Sequence, residues 1–165
     1  MNPSRLVSHP LFVLFSLQII LAYEWLSAGW EKIYGGQFVP NMGKSLARFE
    51  NGNPHDWYVS SLLSSAKSYP TAFGLLVQWG ELLAGIGLLA ALVLYVFSKQ
   101  RSSKCFARYV SVAALLGGMF MNLNFYFAAG WTSPSTSGLN ALLFWVQAVL
   151  LVAWIVMPRK EQKGR

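Results

Sequence analysis

The sequence predicts an all-α integral membrane protein: a four-helix bundle with short amphipathic helices in its first outer loop. Of the 165 residues, 55% are hydrophobic and only 12% are charged, which is too apolar for a soluble domain with one small core. Each of four apolar runs is close to or above the about 20 residues that cross a hydrocarbon core. We expect a single transmembrane domain over residues 1–165, with spans at about residues 11–30, 72–98, 106–130 and 139–157.

The first apolar run has a second interpretation, a cleaved secretory signal, because "SAG" at residues 27–29 offers small side chains to a peptidase. Two features favour a retained helix. The basic segment before the run contains only Arg5, and Gln18 and Glu24 interrupt the run as polar residues do in a helix that packs against others.

Positive charge predicts the orientation in the membrane. The segment 98–108 carries Lys and Arg without any acidic residue, and the tail 158–165 is also basic. Because cytoplasmic loops are enriched in Lys and Arg, we expect both termini in the cytoplasm and the connection 31–70 outside. The net charge of +7 then anchors the protein and attracts anionic lipids, and it does not indicate nucleic-acid binding.

Several classes of redox and nucleotide chemistry lack their sequence signatures. Cys105 is the only cysteine, so the chain has no CxxC pair and no internal disulfide. His9 and His55 lie outside the apolar runs, which argues against a bis-histidine haem inside the bundle. The sequence contains no GxGxxG or GxxxxGK[ST] loop, and we predict no metal site.

The outer connection contains two amphipathic patterns. In the first, Met42, Leu46 and Phe49 fall on one helical face before "NGNP" ends the pattern. The second runs over residues 56–70, and its apolar positions are Trp57, Tyr58, Leu62 and Tyr69. We expect two short helices that either pack at the membrane interface or form a lid over a site.

Polar residues occur at a similar depth in all four runs. Counting about 1.5 Å per residue from the outer ends places five side chains in the outer half of the membrane: Glu24, Glu81, Asn122, Asn124 and Gln147. In the second run, Gly74, Gln78, Glu81, Gly85 and Leu88 form one stripe; in the first run, Glu24, Ser27, Ala28 and Glu31 form another. These patterns predict a polar pocket that opens toward the outer face.

We expect Glu31 at the rim to continue the inward stripe, while Lys32 reaches the lipid headgroups or an acidic partner. The amides have an alternative, purely structural role as hydrogen bonds between helices. The glutamates are harder to explain in that way, because an ionisable group in lipid is costly. We therefore predict that Glu24 and Glu81 lie close together as the working acids, at least one of them protonated near neutral pH. The predicted substrate-binding residues are Glu31, Gln78, Asn122, Asn124 and Gln147.

Four segments together resemble one family. "LSAGWEK" ends the first helix, and "NPHDWYVSSLL", "GLLVQWGELLAGIGLLAAL" and "MNLNFYFAAGWTSPSTSGLNALLFWVQAVLL" follow in order. They resemble the DoxX family, close to its DoxD-like branch, the membrane subunit of thiosulfate:quinone oxidoreductase. The resemblance implies a multi-pass protein of the prokaryotic inner membrane, associated with quinone-linked sulfur oxidation or thiol stress.

Three functions remain open at this point. The first is an oxidoreductase subunit with a quinone as its substrate, for which Glu81 or Glu24 moves protons and a further cofactor or second subunit brings electrons. The second is a non-catalytic scaffold for redox-stress proteins, and the third is a bundle that binds lipid or another small molecule. The sequence favours the first function, with membrane lipids and a second subunit or a homo-oligomer as partners.

Overall fold

A computed structural model describes residues 3–156, with side chains from Phe12 onward. In chain order the helices are α1 (Pro3–Gly35), α2 (Met42–Glu50), α3 (Asp56–Tyr58), α4 (Ser64–Ser68), α5 (Pro70–Phe97), α6 (Arg101–Ala129) and α7 (Pro134–Val156). A π-helical turn at Val59–Leu63 joins α3 to α4, and a 3-10 turn at Gly130–Thr132 follows α6. The basic tail of the sequence analysis lies outside the described residues.

The four long helices confirm the predicted all-α membrane bundle. Each contains a segment long and apolar enough to cross a bilayer. The helices begin before the apolar runs do, most clearly α6 at Arg101 and α7 at Pro134. The predicted spans mark the parts of the helices that suit lipid, whereas the helical backbone continues into the polar flanks.

Neighbours along the chain are neighbours in the bundle. Helix α1 packs along α5, α5 along α6, and α6 along α7, and a smaller contact between α7 and α1 closes the ring. The seam between α1 and α5 is tight because glycines line it: a Cβ atom on Gly29 would lie 2.6 Å from the backbone nitrogen of Leu82. A Cβ atom on Gly85 would lie 2.7 Å from the backbone nitrogen of Leu26.

The inward stripe predicted for α5 is confirmed, since Gly74, Gln78, Glu81, Gly85 and Leu88 are all buried. The stripe predicted for α1 is wrong. Its buried positions are instead Gln18, Leu21, Ala22, Trp25 and Gly29. Close packing of Gly29 and Ala22 on α5 decides which way α1 faces, and this turns its glutamates outward.

We call the end of the bundle where α5 joins α6 the basic face, because Lys99 and Arg101 are there. A fully bonded polar cluster lies toward this end. The Gln18 amide nitrogen donates to the Leu88 carbonyl at 2.8 Å and to Ser111 Oγ at 3.3 Å. Trp154 Nε1 donates to Gln18 Oε1 at 2.6 Å. All four long helices meet at this one side chain.

The segment from α2 to α4 covers the opposite end of the bundle, which we call the capped face. Met42 and Leu46 are buried there as predicted, together with Tyr58, Leu63 and Ala66. The second amphipathic pattern was partly wrong, because Trp57, Leu62 and Tyr69 are exposed. A π-helical turn contains more residues than a turn of α-helix. Tyr58 and Leu63, which are five positions apart, therefore both face the core.

Two polar contacts fasten the cap to α6. The Asn53 amide nitrogen donates to the carbonyls of Phe49 and Phe127, both at 3.0 Å. The Tyr58 hydroxyl donates to the Asn124 carbonyl at 3.2 Å. Burial raises the pKa of Tyr58 to about 12, so this hydroxyl keeps its proton and remains a donor at neutral pH.

The glycines allow a matched test of the α1–α5 seam. We expect Gly85→Ala to destabilise the bundle by about 1 to 3 kcal/mol, because the new methyl group meets backbone that cannot move aside. Gly117→Ala is the control, since nothing lies within 4 Å of a Cβ atom at that position. Thermal unfolding in mild detergent should show a lower Tm for Gly85→Ala alone; equal Tm values would contradict the tight seam.

Candidate functional site

The buried carboxyl group of Glu81 has a cation beside it. Lys32 Nζ lies 2.6 Å from Glu81 Oε2, and the side chains are 23% and 2% exposed. The contact is an ion pair without an aligned hydrogen bond, so Oε2 retains the capacity to accept one. Helix α1 thus neutralises the charge that α5 brings into the membrane.

Lys32 also connects the ion pair to the capped face. Its ammonium group donates to the Ala28 carbonyl at 3.3 Å and lies 5.2 Å from the centre of the Phe38 ring. Phe38 belongs to the connection between α1 and α2 and packs against the buried cluster of the cap. Because Lys32 is partly exposed while Glu81 is not, the ion pair joins the interior to the surface.

Deeper in the bundle, three helices bring polar groups around a glycine of α6. A Cβ atom on Gly118 would lie 2.9 Å from Gln147 Oε1, 3.1 Å from Gln147 Nε2 and 3.1 Å from Trp25 Nε1. Only a residue without a side chain leaves room for this arrangement. The indole of α1 and the amide of α7 therefore meet over the backbone of α6.

Asn122 lies one helical turn above Gly118 on the same face of α6, toward the cap, and is 1% exposed. A Cβ atom on Gly80 would lie 3.2 Å from Met121 Sδ, which aligns α5 with α6 at this level. Because α5 and α6 run in opposite directions, Glu81 lies one position nearer the basic face and Asn122 one position nearer the cap, so their depths differ by about 3 Å. Gln78, also buried, lies one turn of α5 nearer the cap.

Five buried polar atoms in this region have no hydrogen-bond partner among the described residues: Trp25 Nε1, Glu81 Oε2, Asn122 Nδ2, Gln147 Nε2 and Gln147 Oε1. We call Trp25, Glu81, Asn122 and Gln147 the interior polar site. An unbonded buried polar atom costs about 1 to 3 kcal/mol, and native proteins leave few of them. Three donors and two acceptors, spread over about one helical turn along the bundle, therefore form a set of groups that can bond water or a bound molecule.

Glu24 and Glu31 do not belong to this site, since both are exposed on α1. The prediction that Glu24 and Glu81 form a close pair of carboxyl groups is wrong for the same reason. Glu31 does not face inward either; instead Lys32 finds an acidic partner, one of the two alternatives considered for it. Lys32 is seven residues from buried Trp25 and therefore lies on the same face of α1. This explains why Lys32, and not Glu31, faces the interior of the bundle.

Asn124 also lies apart from the interior polar site. Two residues from Asn122, it points to another side of α6, where its amide nitrogen donates to the Phe120 carbonyl at 2.8 Å. Its side-chain oxygen accepts from the Tyr58 hydroxyl at 3.3 Å. Asn124 therefore holds the cap in place. Sequence reasoning missed Trp25, whose signal was its spacing of four residues from Leu21.

A cavity of about 340 Å³ opens at the capped face, but it differs from the predicted pocket. Its lining includes His55, Tyr126 and Trp131 and none of the predicted site residues. Among the described residues, no group of three His, Cys, Asp or Glu side chains is placed to hold a metal ion.

No protein-family model, curated protein or solved structure matches the chain.

The ion pair can be tested by removing its cation. We expect Lys32→Met to destabilise the protein by about 2 to 4 kcal/mol, because a buried carboxylate loses its partner. Adding Glu81→Gln should recover at least half of that loss, as measured by unfolding in detergent. Lys67→Met, which breaks the exposed pair with Glu50, is the control and should cost less than about 1 kcal/mol. Equal losses for the two lysine variants would refute a buried pair.

Proposed function

We propose that the chain is a membrane subunit of a DoxX-type, quinone-linked oxidoreductase, and that its interior polar site binds the quinone head group. The observation that carries the proposal is the set of five unbonded polar atoms inside the bundle. Quinones are confined to the membrane, so a polar site within the transmembrane region suits them as substrates. The resemblance to the DoxX family supplies the reaction class.

The hydrogen-bonding capacity of the site complements both forms of a quinone. The carbonyl oxygens of the oxidised head group can accept from the Trp25 indole and from the amides of Asn122 and Gln147. The hydroxyl groups of the reduced form can donate to Gln147 Oε1 and to the Glu81 carboxyl group. A side-chain amide offers a donor and an acceptor together, which allows Gln147 to bond either form.

Glu81 is the proposed proton-transfer group. Reducing one quinone to a quinol takes up two electrons and two protons. Because Glu81 is ionised in its pair with Lys32, its carboxylate first accepts a proton that arrives from the capped face and then passes this proton to the reduced quinone. Lys32, which is partly exposed and lies 2.6 Å from Glu81, positions the carboxyl group and links it to the capped face in this proposal.

The electrons come from a reduced sulfur compound in this proposal. Two thiosulfate ions joined through a new sulfur–sulfur bond form one tetrathionate and release the two electrons that one quinone needs. A thiol donor balances in the same way, by forming a disulfide and releasing two protons. A partner subunit or cofactor carries these electrons, since the sequence has one cysteine and no recognisable nucleotide-binding loop.

Glu81→Gln tests the proton-transfer role. The substitution keeps the size of the side chain, so we expect a folded protein that still retains quinone but reduces it at least tenfold more slowly. The measurement is reduction of a short-chain quinone by thiosulfate or dithiothreitol, with the enzyme purified in mild detergent together with its bound subunits. Glu50→Gln on the exposed cap should leave the rate unchanged.

Two results would count against the proposal. A stable Glu81→Gln protein with the wild-type rate would remove Glu81 from the chemistry. Organic extraction that yields a lipid or another small molecule in place of quinone would instead favour the interpretation as a binding bundle, because the same unbonded atoms can hold another polar head group.

We further propose that the basic face is cytoplasmic, in a prokaryotic inner membrane, because its Lys and Arg residues follow the positive-inside rule. Single cysteines at Ser102 and Ser135, placed in a Cys105→Ser background, test this orientation. A membrane-impermeant thiol reagent added to intact cells should label the cysteine at position 135 and spare the one at position 102. The reverse labelling would invert the proposed topology.

A further inference from the structure

The Glu24 carboxyl group is exposed on α1. A Cβ atom on Gly85 would lie 2.7 Å from Leu26 and 2.9 Å from Ala22, the residues two positions to either side of Glu24, so Gly85 packs at the level of Glu24. Gly85 is near the middle of α5, a 28-residue apolar helix that crosses the bilayer. Glu24 is therefore close to the bilayer midplane.

The described chain gives Glu24 no counter-charge. Neither ion pair among the described residues includes Glu24. Lys32, the nearest cation in the sequence, belongs to Glu81 and lies on another face of α1. An exposed carboxylate at the bilayer midplane is unfavourable by several kcal/mol, so we look for its partner outside this chain.

The surroundings of Glu24 resemble a helix-packing seam. Ile20, Glu24, Ser27 and Glu31 are all exposed and recur at intervals of four, three and four residues. This spacing places them in one line along α1, and small or polar residues such as Ser27 are common where transmembrane helices meet. The seam lies on the surface of the bundle, so a neighbouring helix can reach it.

We propose that this seam binds a transmembrane helix of a partner subunit, which carries an arginine or lysine near the membrane midplane. Charge complementarity selects this partner over a second copy of the chain. Residues 12–31, 71–98 and 109–156 contain no Lys or Arg, so a second copy brings no cation to this depth. Two copies in the same orientation would instead bring two Glu24 carboxyl groups together.

The proposal does not depend on quinone chemistry and can be tested with a defined probe. The probe is a synthetic poly-leucine transmembrane helix with one central arginine, and an all-leucine helix of the same length is its control. Both are reconstituted with the full chain in lipid vesicles, and association is measured by energy transfer between fluorophores. We expect the arginine helix to bind at least tenfold more tightly than the all-leucine helix.

Substitutions then locate the contact. Glu24→Gln should abolish the preference for the arginine helix, whereas Glu50→Gln, on the cap and outside the seam, should change it less than about threefold. A wild-type chain with no preference between the two helices overturns the proposal. So does a preference that survives Glu24→Gln, or a Glu24-dependent dimer of the chain without any probe. The comparison of the arginine helix with the all-leucine helix uses the wild-type chain alone. It therefore tests the proposal even where Glu24→Gln unfolds.

Discussion

A polar side chain inside a bilayer has no water to bond, so each one in this bundle needs a partner in the protein or in a bound molecule. Gln18 is fully bonded by groups from three other helices and holds the bundle together near the basic face. Glu81 has the charge of Lys32 beside it. Trp25, Asn122 and Gln147 of the interior polar site have unbonded atoms, and Glu24 has no counter-charge in the described chain. For that reason they carry the two proposals.

The cap determines how the interior polar site meets its surroundings. Asn53 and Tyr58 bond to the end of α6, and Met42 and Leu46 pack beneath them, so the segment is built into the bundle. Lys32 lies where this cap meets α1, in contact with Phe38. Below the site, the buried side chains of Leu21, Leu88, Leu115 and Leu150 close the bundle toward the basic face. The proposed proton exchange therefore favours the capped face.

Hydropathy and spacing were enough to predict the four spans and the inward face of α5, because long apolar runs and a stripe with glycines are local signals. The same approach failed for α1. Its glutamates suggested an inward face, but the close approach of Gly29 and Gly85 sets its rotation, and only the packed structure reveals such contacts. The pairing of Lys32 with Glu81 depends on that rotation, so the sequence indicated only an unnamed acidic partner for Lys32, as one of two alternatives.

The most direct test of the account is the quinone content of the purified protein. A methyl group on Gly118 would lie about 3 Å from the Gln147 amide and the Trp25 indole, whereas one on Gly117 meets nothing within 4 Å. We predict about one quinone per chain in the wild type and in Gly117→Ala, and at least a tenfold loss in Gly118→Ala at a similar Tm. Wild-type protein without quinone, or equal quinone in both variants, would contradict the claim that the interior polar site binds it.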